Sequence, residues 1–224
     1  MDGYLDNIDF EVLIETVLLS LRVSTSAVII ATVLALPIAA IIATTNFSGK
    51  KLIIIILNTL MGLPPVVVGL LIYLLLSRAG PLGSFGILFT PTAMVIAQTV
   101  LLIPIIAGLA RQIIETLWLD YSEQLISLGA SKASVVSALL IDTRFSLIII
   151  TLAALGRALS EVGAVMIVGG NIDGVTRVMT TAISLETSKG DLSQAILLGI
   201  VLVLTVFSLN LIVFFTKEYI ERKN

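Results

Sequence analysis

Two opposite charges stand inside an apolar segment, and their types and spacing suit them to work within a membrane. Arg157 and Glu161 lie four residues apart in the stretch from Phe145 to about Val168. A charge in a bilayer interior costs at least about 2.5–3.5 kcal/mol, so it is usually paired and faces protein or water. Four-residue spacing places both side chains on one helical face, where they can form an ion pair. Small residues surround the pair and let another helix approach closely: Gly156, Ser160, Gly163 and Ala164. Two interpretations stay open, a structural ion pair inside a helix bundle and a face that lines a translocation path.

A second set of hydrogen-bond donors follows this segment. Arg177, Thr180 and Thr181 offer guanidinium and hydroxyl groups, which suit a tetrahedral oxyanion. The stretch 176–188 is polar yet punctuated by apolar residues, so we expect a short amphipathic helix there. The alternative is a re-entrant helix at the membrane interface, whose arginine meets lipid head groups instead of a solute.

The residues and motifs usually needed for metal binding, nucleophilic catalysis and ATP binding are absent from the sequence. The sequence has no Cys and no His, which removes the thiolate and imidazole ligands of metal sites and the usual nucleophile–base pairs. No Gly-x-x-x-x-Gly-Lys-Ser/Thr loop occurs, so we expect no P-loop ATP site in this chain. A net charge of −2 argues against a nucleic-acid partner, which needs a basic face.

The elements that must position these residues are membrane-spanning helices. Hydrophobic residues make up 58% of the 224-residue sequence and charged residues 12%, whereas a soluble domain has about 45–50% and 25%. A spanning helix needs about 20 mostly apolar residues. Five segments qualify, the third of them beginning in a Gly- and Pro-rich loop: 23–49, 52–77, 79–110, 145–168 and 192–216. The sequence therefore predicts an all-α, multi-pass integral membrane protein with about five transmembrane helices in one domain, residues 1–224.

The basic residues predict the orientation of these spans. Five spans put the termini on opposite sides, and short cytoplasmic loops carry an excess of Lys and Arg. One set of loops has three basic residues, and the stretch up to Thr16 has none. The other set has eight: Lys50, Lys51, Arg111, Lys132, Arg144, Lys217, Arg222 and Lys223. We therefore expect the N-terminus outside and the C-terminus inside, with the longest cytoplasmic loop at about 111–144.

A helix-breaking pair lies in the second predicted span. Pro64 and Pro65 follow Gly62, and proline removes a backbone donor and clashes with the preceding turn. Such breaks persist in membranes only where protein or a water-filled path satisfies the freed backbone groups. The alternative is a packing kink of the kind common in membrane helices.

The predicted cytoplasmic loop contains a helix–turn–helix pattern. Gly129 can end the first helix in the left-handed conformation, and Ser131 can cap the second. We expect this unit to lie at the membrane surface with one polar face toward the cytoplasm. An apolar stripe recurs at helical spacing along the first helix: Leu117, Tyr121, Leu125 and Leu128.

The same loop resembles the EAA loop of ABC importer permeases. The resemblance is carried by Glu123, by the string Leu128-Gly129-Ala130-Ser131 and by the apolar stretch 139–141. In that family the loop docks into a cleft of the cytoplasmic ATPase subunit and transmits its movement to the membrane helices. The chain departs from the family pattern at Gln124 and Leu125, where two alanines are usual, and at Asp142, where a proline is usual.

Two further strings resemble permeases of the molybdate and tungstate type. Residues 156–164 are similar to the segment that follows the EAA loop in both, and residues 169–191 are most similar to the tungstate branch. The resemblance covers essentially the whole chain and implies the type I importer permease fold. With the charge and proline patterns above, it leads us to expect a translocation path or gate at these residues: Pro64, Pro65, Arg157, Ser160, Glu161, Gly163, Arg177, Thr180 and Thr181.

The resemblance also implies an assembly. Five helices enclose little of a path, so we expect a homodimer, together with two cytoplasmic ABC ATPase subunits, an extracytoplasmic substrate-binding protein and surrounding lipid. ATP and Mg²⁺ would be bound by the ATPase subunit, and this chain would itself hold no cofactor, no metal and no catalytic residue. The function implied is uptake of an oxyanion, above all tungstate, by alternating access.

Three alternatives stay open at this stage. The cargo of the same kind of permease can be molybdate, sulfate or phosphate. A secondary transporter or a channel that works without ATP is a different class of protein, although we see no inverted repeat in the sequence. A membrane-embedded enzyme is the weakest alternative, because no His, Cys or clustered acids are present.

Overall fold

The computed structural model describes residues 10–221, and the regular elements within that range are helices. A single turn of 3₁₀ helix, Gly83–Phe85, lies in the Gly- and Pro-rich segment that was predicted to be a loop. The α-helices are α1 (Phe10–Thr44), α2 (Lys50–Met61), α3 (Pro65–Leu76), α4 (Pro91–Ser127), α5 (Lys132–Asp142), α6 (Arg144–Leu159), α7 (Gly163–Gly169), α8 (Met179–Lys189) and α9 (Leu192–Glu221).

The two longest helices, α1 and α4, form the centre of the bundle and make its most extensive contact. One face of α1 carries alanine at every fourth position, and these alanines are completely buried. They pack against apolar residues of α4 such as Ile106 and Ala110. Small residues in a row let two helix backbones approach closely, which is a common way to pack helices in membranes. The row consists of Ala27, Ala31, Ala35 and Ala39.

Large apolar side chains cover the outside of the other helices. Ile55 on α2, Leu71 on α3 and Val203 on α9 are more than half exposed, and many neighbours resemble them. A surface of this kind is rare on soluble monomers but is the expected outer surface of a bundle in lipid. The chain is therefore an integral membrane protein that crosses the cell membrane several times.

Three described helices are long and apolar enough to cross a bilayer alone, namely α1, α4 and α9. The pairs α2–α3 and α5–α6 also qualify if each bent pair counts as one span, which gives up to five. The predicted number of five is thus the upper end of this range. The acidic stretch at residues 1–9 and two residues of the basic count, Arg222 and Lys223, lie outside the described residues.

Two helices run past the charges that were expected to end their spans. Helix α1 begins at Phe10 instead of Val23 and contains Arg22, and α4 continues beyond Ala110 to Ser127. The loop expected at 111–144 is therefore helical almost throughout, and its first helix is the end of α4. Arg111 does not interrupt α4, since arginine is a good helix former, and its guanidinium pairs with Glu115 one turn later.

The fourth predicted span, 145–168, differs most from the expectation of one continuous helix. Helix α6 ends at Leu159 and α7 begins at Gly163, so Arg157 and Glu161 stand on either side of a helix end. No proline is present at this break. Side chains from α4 and α8 donate hydrogen bonds to two of its backbone carbonyls, as described below.

Candidate translocation site and coupling turn

The first helix break, between α2 and α3, is produced by the predicted prolines. The two helix axes differ by 99° across residues 62–64. Pro64 has an extended backbone and precedes α3, and Pro65 is the first residue of that helix. A proline at the first position loses no helical hydrogen bond, because that N–H has no partner inside the helix. The prediction of a broken second span is confirmed.

The second break, between α6 and α7, is contacted by side chains from α4 and α8 and by a side chain of the break itself. Nε2 of Gln98 on α4 donates to the carbonyl oxygen of Ala158 at 3.0 Å. The hydroxyl of Thr180 on α8 donates to the carbonyl oxygen of Glu161 at 2.7 Å. The Glu161 carboxylate accepts the backbone N–H of Ala164 at 3.2 Å. Backbone groups freed inside a membrane need partners of this kind, and here the protein supplies them.

The predicted ion pair spans this second break. Nη1 of Arg157 lies 3.4 Å from Oε2 of Glu161. The Glu161 side chain is only 5% exposed, whereas that of Arg157 is 47% exposed on the single chain. The buried carboxylate is thus compensated by one cation and one backbone donor, while the guanidinium keeps most of its donors facing outward.

The two breaks lie beside each other. A cleft is lined by the end of α2, by α4 and by the second break. Beyond the cleft, α3 and α7 pack closely, since a methyl group on Gly163 would lie 2.7 Å from Cγ2 of Val66. Gly69 is equally close to the backbone of Ala164. The cleft-lining residues include Met61, Leu63, Gln98, Arg157, Ala158 and Glu161.

The side chain of Gln98, which lines this cleft, has a carbonyl oxygen without a hydrogen-bond partner. Its side chain is 3% exposed, and its Oε1 has no hydrogen-bond partner. A buried acceptor without a partner costs about 1–3 kcal/mol, and such groups often mark functional positions. The cleft therefore combines a half-exposed guanidinium with a buried amide oxygen that has no protein partner, at the meeting point of two broken helices.

The three predicted donors Arg177, Thr180 and Thr181 do not lie together. The two threonines lie at or near the second break and Arg177 lies in a separate groove. Thr180 joins the second break, and the Thr181 hydroxyl contacts the backbone of Val178 at the start of α8. Arg177 pairs with Asp173 at 2.7 Å and lines a separate groove together with Arg22 and Glu15 of α1. Both threonine hydroxyls thus donate to backbone carbonyls in this conformation. A helix is present in this stretch as α8, Met179–Lys189, but it buries Thr180, Thr181 and Glu186 along with Met179 and Ala182, so it does not separate polar from apolar residues as expected.

The turn between α4 and α5 has the geometry that its sequence predicts. Gly129 has φ +91°, in the left-handed region. The N–H of Ala130 donates to the carbonyl of Leu125 at 3.1 Å, and the N–H of Gly129 donates to that of Ile126 at 2.9 Å. This pair of bonds is the Schellman motif that closes many helices. Ser131 then caps α5 by accepting the N–H of Ser134 at 3.1 Å.

The end of α4 presents apolar side chains outward. Leu128 is 83% exposed and Leu119 is 73% exposed, with Glu123 exposed between them. On the other side of the turn, Val135 and Leu139 of α5 are buried. Helix α5 is therefore packed against the bundle, whereas the end of α4 at Leu128 protrudes from it. A polar and apolar protrusion of this kind suits a protein partner.

Comparisons with known proteins agree with this architecture. Residues 18–224 match the family described as the inner membrane component of binding-protein-dependent transport systems. The chain belongs to this family. It is 40% identical over 202 residues to the tungstate uptake system permease TupB of Peptoclostridium acidaminophilum, covering 90% of this chain and 89% of that protein.

Two further relatives of this permease match much of its length. TupB of Campylobacter jejuni is 42% identical over 167 residues, covering 75% of this chain and 70% of that protein. A probable anion ABC transporter permease of Haloferax volcanii is 37% identical over 211 residues, covering 92% and 91%. The resemblance to ABC importer permeases of the tungstate type, stated from short strings, is therefore confirmed over most of the chain.

The structure brings some of the predicted permease residues together and separates others. Six predicted residues lie at the two breaks or pack between them: Pro64, Pro65, Arg157, Ser160, Glu161 and Gly163. Thr180 reaches the second break, whereas Arg177 does not line the cleft. Sequence reasoning missed Gln98, although a lone amide in the run 91–110 was a visible signal. It also missed the charged cluster of Lys50, Arg111 and Glu115.

Proposed function

We propose that this permease forms the membrane channel of an ATP-driven importer for tungstate. The observation that carries the proposal is the identity of 40% and 42% to two tungstate permeases over most of their lengths. Molybdate is the nearest alternative cargo, because the two dianions have nearly the same size and charge, and sulfate and phosphate come next. The chain itself would bind neither ATP nor Mg²⁺, and a separate ATPase subunit would supply the energy.

The turn between α4 and α5, residues 128–131, is the proposed docking point for that ATPase, and we call it the coupling turn. Its apolar tip and Glu123 protrude from the bundle, while its backbone is fixed by the Gly129 and Ser131 hydrogen bonds. This proposal requires the turn to face the cytoplasm, with the N-terminus outside and the C-terminus inside. The excess of basic residues on the same predicted side supports that orientation.

The proposed assembly contains two copies of the permease, two ATPase subunits and an extracytoplasmic binding protein. A second copy is proposed because five helices enclose little of a path. Arg157, half exposed here, would then face the two-fold axis. Binding of ATP would move the two coupling turns together and open the path outward, and hydrolysis would return it to the inward-open state.

The cleft at the two breaks is the proposed place where the anion passes. Arg157 presents unused guanidinium donors there, and such donors pair well with an oxyanion. Glu161 neutralises part of that charge, which would keep binding weak enough for release. Thr180 and Gln98 would hold the break in shape during passage, since their hydrogen bonds replace those of a continuous helix.

The test is uptake and ATP hydrolysis in liposomes that contain the permease, its ATPase and its binding protein. We expect hydrolysis to rise when the binding protein is loaded with tungstate, and to rise less with molybdate or sulfate. The substitutions Glu123→Ala and Gly129→Val should each abolish the stimulation. Accumulation of anion by the permease alone would instead identify a secondary transporter or channel, and stimulation that survives both changes would refute the docking role.

A further inference from the structure

An ion network joins α2 to α4 just before the coupling turn. Nζ of Lys50, the first residue of α2, lies 3.0 Å from Oε1 of Glu115 on α4. The other carboxylate oxygen of Glu115 pairs with Arg111 on the same helix. Lys50 also donates to the carbonyl oxygen of Ala43 near the end of α1 at 3.4 Å. The side chains of all three charged residues are at least about three-quarters buried, so the network is shielded from solvent and salt.

The far end of α2 is fastened to α4 as well. A methyl group on Gly108 of α4 would lie 2.6 Å from Sδ of Met61 and 3.2 Å from a methyl carbon of Leu57. Met61 is the last residue of α2, so its side chain fills the space that glycine leaves open. Helix α2 is therefore attached to α4 near both of its ends, by charge at Lys50 and by packing at Met61.

Both attachments fall on one part of α4, which we call the coupling arm, residues 105–127. Pro104 precedes this arm and interrupts the hydrogen-bond ladder of α4, because proline has no N–H to donate. The arm ends at the coupling turn. A displacement of that turn would therefore be shared by the arm and by α2, whose last residue leads directly into the break before Pro64.

We propose that Lys50 and Glu115 are positioning residues that make α2 move with the coupling arm, so that movement of the ATPase reaches the cleft. This inference rests on the proposed importer function and names the route from its docking turn to its path. Met61 and Leu63 at the end of α2 line the cleft beside Arg157 and Glu161. In this proposal the ion network holds α2 to the coupling arm. Helix α2 transmits the movement of the arm, and the break at residues 62–64 changes its conformation in response.

The first test compares transport with hydrolysis in the complete complex in liposomes. Lys50→Ala and Glu115→Gln should each lower the tungstate taken up per ATP at least fivefold, while hydrolysis stimulated by the binding protein stays within twofold. Lys50→Arg, and the exchange Lys50→Glu with Glu115→Lys, should restore the ratio to within twofold. Lys51→Ala is the matched control, since Lys51 is adjacent and exposed, and no ion pair is found for it among the described residues.

The second test uses the absence of cysteine from the sequence. A variant with Lys50→Cys and Glu115→Cys can be joined by a flexible bifunctional thiol reagent, about as long as the two side chains it replaces. If α2 and the coupling arm move as one body, the cross-linked complex should keep at least half of the unaltered uptake per ATP. This variant tests the inference even if the single substitutions do not assemble.

The outcomes separate this inference from the function on which it rests. Uptake per ATP that is unchanged in Lys50→Ala and Glu115→Gln would overturn the positioning role, as would loss of uptake on cross-linking that reverses when the link is cleaved. In both cases the unaltered complex still imports. Absence of ATP-driven uptake by the unaltered complex would instead overturn the proposed function and this inference together.

Discussion

Replacing Gly69 with alanine should weaken the contact between α3 and α7, which joins the two halves of the broken region. Gly69 is buried, and a methyl group there would lie 2.8 Å from Cα of Ala164 and 3.2 Å from its carbonyl oxygen. Both are backbone atoms, so no side-chain rotation relieves the overlap. Ordinary contact begins near 3.4 Å, so the two helices must separate by about 0.6 Å at this point.

The magnitude follows from two opposing effects. Overpacking of a close contact costs about 1–3 kcal/mol. Alanine is the better helix former by about 1 kcal/mol, which offsets part of that cost. The difference is about 0–2 kcal/mol, so we expect a net loss of about 1 kcal/mol in the free energy of unfolding. The loss should be larger for Gly69→Val, whose side chain adds two further carbons against the same backbone.

The assay is the melting temperature of the detergent-solubilised permease, followed by the fraction that stays monodisperse after heating. Gly199→Ala in α9 is the matched control, because it makes the same change in a helix and a methyl group there meets nothing within 4 Å of the chain. We expect Gly69→Ala to melt below the unaltered chain and Gly199→Ala to melt at or above it. Equal melting of the two variants would refute the close approach of α3 and α7.

Substitutions at four further positions test the second break and the coupling turn. Gln98→Leu removes one hydrogen bond worth about 1 kcal/mol and an unpartnered acceptor that costs about 1–3 kcal/mol, so melting should hold or rise while tungstate uptake falls. Thr180→Val should lower the melting temperature by removing a bond to the Glu161 carbonyl worth about 0.5–1.5 kcal/mol, and Thr180→Ser should not. Gly129→Asn should retain the ATPase on co-purification better than Gly129→Val, because a β-branched residue in the left-handed region costs at least about 1–2 kcal/mol. Ser131→Ala should lose about 1 kcal/mol of capping and expose the turn to limited proteolysis, whereas Ser131→Asp should protect it.

Each of these expectations has an outcome that contradicts it. Full uptake by the Gln98 variant would show that the unpartnered amide has no role in the path. Equal melting of the valine and serine variants at Thr180 would mean that the bond to Glu161 contributes nothing. Equal ATPase retention at Gly129, or equal cleavage at Ser131, would show that the backbone geometry of the turn does not determine docking.

The features that the sequence predicted correctly depend on neighbours in the chain. The turn at Gly129 and Ser131, the break at Pro64 and the loop before Pro91 each follow from residues within a few positions of the feature. The glycine adopts the left-handed conformation and the serine accepts a backbone N–H, as these residue types do elsewhere. Features that depend only on residues close together in the chain can therefore be predicted from a single sequence.

The features that the sequence did not reveal depend on distant contacts. The break after Leu159 is contacted by the amide of Gln98, which is 60 residues from the carbonyl it binds. The ion pair of Glu115 on α4 with Lys50 on α2 likewise joins residues far apart in the chain. Arg111 does not end α4, because arginine is a good helix former. Ending a predicted helix at its first charged residue therefore fails for α4. Looking for prolines finds the break between α2 and α3 but misses the one between α6 and α7, which contains no proline.

The second break gives the buried side chain of Glu161 a structural role. A continuous helix through residues 159–163 would satisfy its own backbone, whereas at the break the Glu161 carbonyl accepts the hydroxyl of Thr180 and the Glu161 carboxylate accepts the N–H of Ala164. Gln98 adds a bond to the carbonyl of Ala158 and leaves its own Oε1 without a partner. A buried acceptor without a partner costs about 1–3 kcal/mol, and natural proteins break local rules most often at functional sites. These observations support the proposal that the break belongs to the translocation path, because side-chain hydrogen bonds can be exchanged when the angle between two helix segments changes, without leaving backbone groups unpaired in lipid.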